Sequence, residues 1–228
     1  MDVFVIPVGP DRYELYCEAA VEAPPQPAEG SKGVIGRIRY QFAVMLHQAE
    51  ERRRSGSLAP SQTTKLGRLQ EWIMAWVAER IAEQRLLWNL RRETEVTTYY
   101  PPDLTFDQAH TLIRRTLQRD WERHRLWLAV DSVLLLGSLA LILLPGPNII
   151  GYYFAFRVMG HWLSIRGAMQ GLKAVQWNGQ PCEPLTKLRE AVALNGEARN
   201  RHVHAIAEQL RLQHLSTFFE RVAVRHAS

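Results

Sequence analysis

Two apolar runs separated by a helix-breaking tetrapeptide constrain this chain more than any other feature. Residues 126–144 hold nine leucines with Val130, Val133 and Ile142, and Asp131 is their only charge. A helix of nineteen residues rises about 28 Å, close to the roughly 30 Å of hydrocarbon in a bilayer. Each large aliphatic favours insertion by up to about 0.5 kcal/mol, while one central carboxylate opposes it by about 3 kcal/mol. The first run is therefore expected to insert unaided. The second, 149–165, carries Arg157 and His161 among its apolar residues, so its balance falls near zero and it needs the first beside it. Pro145, Gly146, Pro147 and Asn148 remove a helical donor, break helix geometry and suit a turn. The sequence thus predicts a mainly α fold: a helical membrane protein with a two-helix transmembrane hairpin and a short β-prone N-terminal segment.

Basic residues flank both ends of the pair, with Arg119, Arg123 and Arg125 before it and Arg166 and Lys173 after it. By the positive-inside rule both ends face the cytoplasm of a bacterial inner membrane, or the matrix if the protein is mitochondrial. The competing reading is a soluble helical binding protein with a buried central hairpin, in keeping with a mean hydropathy of −0.21.

The rest of the chain divides by composition. Residues 1–22 contain two β-prone runs, Val3 to Ile6 and Tyr13 to Tyr16, separated by turn-forming residues. Residues 23–32 are rich in Pro, Gly and small polar residues and read as a linker. Apolar residues at three- and four-residue steps predict a cytoplasmic helical pair over 33–93. Thr94 to Pro102 interrupts that periodicity. Thr105 and Gln108 stand at capping-box spacing and open a long helix over 103–175, continuous into the first apolar run and turning at 145–148. Trp177 to Pro184 reads as a loop, and 184–228 as a C-terminal helical region in which Asn195-Gly196 ends the first helix.

The formal charge is +5, but the first thirty residues hold six acids against Arg12, so the remainder carries +10. Clustering of that charge around the apolar runs points to anionic lipid and not to nucleic acid. Cys17 and Cys182 are far apart and outside any paired motif, which excludes a disulfide framework or structural zinc site. His202, His204 and His214 lack a completing acid or Cys, Gly33 and Gly36 lack the Lys-Ser/Thr of a phosphate loop, and no Ser/His/acid set emerges. No enzyme activity, catalytic residue, cofactor or metal is expected. The opening MDVFVIPVGP carries neither a secretory signal nor an Arg-rich presequence.

If the chain reverses at residue 146, Asp131 and His161 each lie fifteen positions from the turn, and Arg157 is four residues from His161 on the same helix face. Asp131, Arg157 and His161 are therefore the candidates for ion or proton handling. The same set also suits a structural pairing of buried charge.

The opening Met1 to Pro7, Arg12 to Glu18, and above all Leu144-Pro145-Gly146-Pro147-Asn148 followed by Phe156-Arg157, His161-Trp162 and Gly167, resemble the mitochondrial potassium/proton exchange-related family. The resemblance implies an inner-membrane protein tied to monovalent cation and proton balance, as an exchanger component or an accessory factor. It transfers no catalytic residue. Lacking a presequence, the chain reads as a bacterial relative. Its expected partners are the lipid bilayer, further copies of itself or other membrane subunits, and K+ and protons. The alternative is a membrane-anchored interaction scaffold without transport activity.

Overall fold

A computed structural model describes residues 1–18, 86–139, 149–194 and 196–224. The linker at 23–32, the helical pair up to residue 85 and the turn residues Pro145, Gly146, Pro147 and Asn148 lie outside the described residues.

The β-prone N-terminus is no appendage. Strands β1 (Asp2–Pro7) and β2 (Tyr13–Tyr16) pair antiparallel with Phe4 opposite Tyr16, as expected of two β-prone runs around a turn. Two further strands join them: β3 (Glu95–Tyr100) lies parallel to β1, and β4 (Gln176–Pro181) parallel to β3, giving the order β2-β1-β3-β4. Both come from segments that sequence reasoning left as breaks or loops. Val96, Thr98 and Tyr100 alternate inward along β3, the period-two pattern of a strand.

Helix α1 (Phe106–Leu139) and helix α2 (Ile149–Lys173) pack against each other and form the crossover between the parallel strands β3 and β4. The capping box that opens α1 is reciprocal, with the Thr105 amide donating to Gln108 Oε1 at 2.8 Å and the Gln108 amide to Thr105 Oγ1 at 3.3 Å. Helices α3 (Glu183–Val192), α4 (Gly196–Gln209) and α5 (Leu215–Val224) follow. Helix α3 ends at Ala193 in right-handed geometry, so Gly196 opens the next helix instead of closing this one.

Strand β1 is buried on both faces. Phe4, Ile6, Val8 and Tyr16 join Leu185, Leu188, Val203, Ile206, Leu215 and Phe219 in one core cluster on the face of α3 to α5. Val3 and Val5 point the other way, as do Val96, Thr98 and Tyr100, whose ring meets Phe106 at the start of α1.

This architecture corrects the expected fold class. The chain is an α/β assembly with a mixed sheet, not a helical protein with a transmembrane hairpin. Among the described residues no helix is long and apolar enough to cross a membrane. The physical reason lies in the helix pair. The first two-thirds of α1 carry Arg114, Arg115, Arg119, Asp120 and Arg123, and His124 and Asp131 on its inner face meet α2. The described part of the leucine run, 126–139, thus forms the end of a helix whose first half is amphipathic and packs on the sheet.

A short helical stretch at 86–90 fixes α2 from one side. Trp88 Nε1 donates to Ser164 Oγ at 3.0 Å and lies 3.2 Å from the Gly160 carbonyl. The approach is close enough that a Cβ on Gly167 would fall 1.7 Å from the Leu87 carbonyl oxygen, which only glycine permits.

Candidate functional site

Asp131, Arg157 and His161 meet between α1 and α2. Asp131 Oδ2 accepts from Arg157 Nε at 2.9 Å and lies 3.1 Å from His161 Nε2. The carboxylate is 1% exposed, against 23% for the arginine side chain and 12% for the histidine. Antiparallel helices bring these residues level, and the four-residue step between Arg157 and His161 lets both reach one oxygen.

The arginine has more than one partner. Its Nη1 donates to Tyr153 Oη at 3.1 Å, and its guanidinium carbon lies 5.6 Å from the centre of the Trp127 ring and 5.7 Å from that of Tyr153. Burial alone would lower its pKa, but hydrogen bonds to Tyr153 and Asp131 and the Asp131 charge raise it above the ordinary value, so it is a permanent cation.

The site includes a residue that sequence reasoning missed. His124 Nδ1 lies 2.7 Å from His161 Nδ1, with ring centres 5.0 Å apart. Burial, His161 and Arg123 lower the His124 pKa to about 4 from 6.5, so its imidazole is neutral at physiological pH. The available signal was spacing: Leu117, His124, Asp131 and Ser138 recur every seven residues, which places them on one stripe of α1. Tyr153, four residues before Arg157, could have been found in the same way.

Protonation states follow from this geometry. A carboxylate only accepts, so His161 carries its hydrogen on Nε2 toward Asp131. With a neutral His161 ring, its Nδ1 is an acceptor and the hydrogen between the rings belongs to His124 Nδ1. The Oδ2 oxygen of Asp131 is thus shared by two donors.

Beyond this site α1 turns a wholly apolar face outward. Leu126, Val133 and Leu136 are each about two-thirds exposed, with Trp127, Val130 and Leu134 exposed beside them. Arg125 lies 4.7 Å over the Trp121 ring on α1, and Arg166 lies 5.2 Å over Trp162 on α2, at the base of this face. Among the described residues no cluster of three or more His, Cys, Asp or Glu is arranged to hold a metal ion. Cys17 is buried and Cys182 half-buried, and among the described residues neither forms a disulfide.

A mixed sheet bridged by a charge-bearing helix pair defines an α/β protein whose titratable centre lies in the crossover. The chain belongs to the mitochondrial K+-H+ exchange-related family, whose model matches residues 2–175. That span takes in β1 to β3, the helix pair and all of Asp131, Tyr153, Arg157, His161 and His124. The family description is mitochondrial, the compartment that the sequence offered as its eukaryotic alternative. Comparison with curated proteins and with solved structures finds no match.

Proposed function

We propose that this chain is a non-enzymatic factor of K+ and H+ balance that works with other chains and responds to protons at Asp131, Arg157, His161 and His124. The observation that carries the reading is the sealed carboxylate held by a permanent cation and a titratable ring, within a family described by K+-H+ exchange. Buried ionisable groups are costly, and their concentration at one level between two helices favours a role in charge or proton handling. A path for ions needs polar walls on all sides, and one helix pair does not supply them. The accessory role, or a role as one subunit of an exchanger, therefore fits better than a self-sufficient exchanger. No catalytic step or cofactor enters this reading.

The test is K+-driven proton movement, followed with an entrapped pH dye, in membranes depleted of the chain and after its return. Depletion lowers the exchange rate, the native chain restores it, and Asp131→Asn restores less. Exchange at the full rate in depleted membranes would discard the reading.

The outward apolar face supports a second reading, an interaction scaffold held at a lipid surface without transport of its own. Its Arg and Trp base resembles the residues that sit at headgroup level. Flotation with anionic vesicles, lost in Leu126→Asp/Val133→Asp, combined with unchanged exchange in depleted membranes, would favour this scaffold.

A further inference from the structure

We propose that His124, His161 and Asp131 form a proton relay whose output is the release of Arg157. The inference deepens the proton-responsive reading above and rests on it for its physiological meaning. Asp131 is sealed from water, so a proton reaches it through the groups bonded to it, which among the described residues are Arg157 and His161. One of these, the Arg157 guanidinium, does not give up a proton in proteins. The other, His161, is bonded through its second ring nitrogen to His124, which is half-buried.

The steps balance. A proton from water binds His124 Nε2. The hydrogen on His124 Nδ1 crosses the 2.7 Å gap to His161 Nδ1. The hydrogen on His161 Nε2 then crosses 3.1 Å to Asp131 Oδ2. Each imidazole ends neutral in its opposite tautomer, Asp131 becomes a neutral acid, and the added charge rests on Arg157. That arginine keeps Tyr153 Oη and the face of Trp127, so a second resting place is already built. Among the described residues, ionisable groups facing the row include Asp131 and Arg123 on α1, and Arg157 and Tyr153 on α2. The stretch at 86–90 offers Trp88, which does not titrate in water. With a pKa of about 4, His124 holds an extra proton in roughly one molecule per thousand at pH 7, so it passes protons on and does not store them.

Nitrogen NMR of the imidazoles and of the Arg157 Nε–H in the full chain tests this from pH 8 to the acid limit of the fold. At pH 8 His161 is expected as the Nε2–H tautomer and His124 as the Nδ1–H tautomer. On acidification both invert at one midpoint together with a shift of the Arg157 signal, and His124→Asn abolishes that shift. Two Nε2–H tautomers at pH 8, or an Arg157 response unchanged in His124→Asn, would overturn the relay. If His124→Asn does not fold, the tautomer pair and the shared midpoint in the native chain decide the matter alone. These signals need no K+ flux. The expected signals with unchanged exchange in His124→Asn would discard the cation reading and leave the relay standing.

Discussion

Removing one partner of the Asp131–Arg157 pair tests whether this buried charge specifies the helix packing. Unit charges about 4 Å apart attract by about 4 kcal/mol at an effective dielectric of 20, and desolvation of both ions offsets most of that. The pair therefore adds little net stability, yet breaking it is expensive, because the survivor stays buried at a cost of about 3–5 kcal/mol. The structure orders the two single variants. Arg157 is 23% exposed and retains Tyr153 Oη and two aromatic faces, so Asp131→Ala falls at the lower end, about 3 kcal/mol. Asp131 is 1% exposed and among the described residues keeps His161 alone, so Arg157→Met falls at the upper end, about 5 kcal/mol. Asp131→Leu/Arg157→Met removes both ions while filling the same space and is expected within about 1 kcal/mol of the native chain. Urea unfolding followed by far-ultraviolet circular dichroism at pH 7.5 measures all three. A double variant as unstable as the sum of the singles, or an Asp131→Ala variant indistinguishable from the native chain, would refute the argument.

Other perturbations give signs as well as sizes. The folded pKa of His124, about 4, lies below its unfolded value of 6.5, so the unfolded chain binds more protons in that window and stability falls as pH drops from about 6.5 to about 4. The loss is about 2 kcal/mol after allowing for partial exposure, and thermal melts of His124→Asn should lack it. Asp120 behaves oppositely: burial, with Glu14 assisting and Arg119 and Arg123 opposing, raises its pKa to about 6 from 3.8. The folded chain then holds the extra proton, stability falls as pH rises from about 4 to 6, and Asp120→Asn should stabilise by about 1–2 kcal/mol at pH 7 but not at pH 4. Gly167→Ala should detach the 86–90 stretch, seen as a change in Trp fluorescence, because its Cβ would meet the Leu87 backbone. Gly137→Ala, with nothing within 4 Å of its Cβ, should raise stability by about 1 kcal/mol in the same assay.

The extent to which the sequence foretold the fold varies with how local each signal is. The capping box at Thr105, the β1–β2 hairpin and the continuous helix through 106–139 depend on neighbours a few residues apart, and all were legible. Strands β3 and β4 were not. Thr97, Thr98, Tyr99 and Tyr100 favour strands but are followed by two prolines, and WNGQP reads as a turn. Both become strands because β1 and β3 offer them open edges, a long-range condition that no window of local sequence contains. Missing that sheet leaves the helix pair without the strands it connects, and the apolar run then reads as a span in its own right.

The site was more legible than its surroundings for a related reason. A charge inside an apolar helix has so few acceptable environments that its partners can be sought by level and helical step, whichever solvent lies outside. Asp131, Arg157 and His161 meet in this fold because antiparallel packing alone brings them level. His124 escaped notice because it stands among Arg123 and Arg125, outside the apolar run, where a histidine reads as one more polar residue. Its seven-residue step to Asp131 shows that the polar stripe of α1 begins before the leucines do. The same step carries the stripe on to Ser138, which is buried and donates to the Leu135 carbonyl of its own helix. From His124 onward the inner side of α1 carries polar residues and the outer side apolar ones, whereas its first half buries Ala109, Ile113 and Leu117 and exposes arginines like an ordinary surface helix. The change of pattern within one helix falls where the row from His124 to Arg157 begins, so the second half of α1 buries its charge against α2 while its apolar residues face outward.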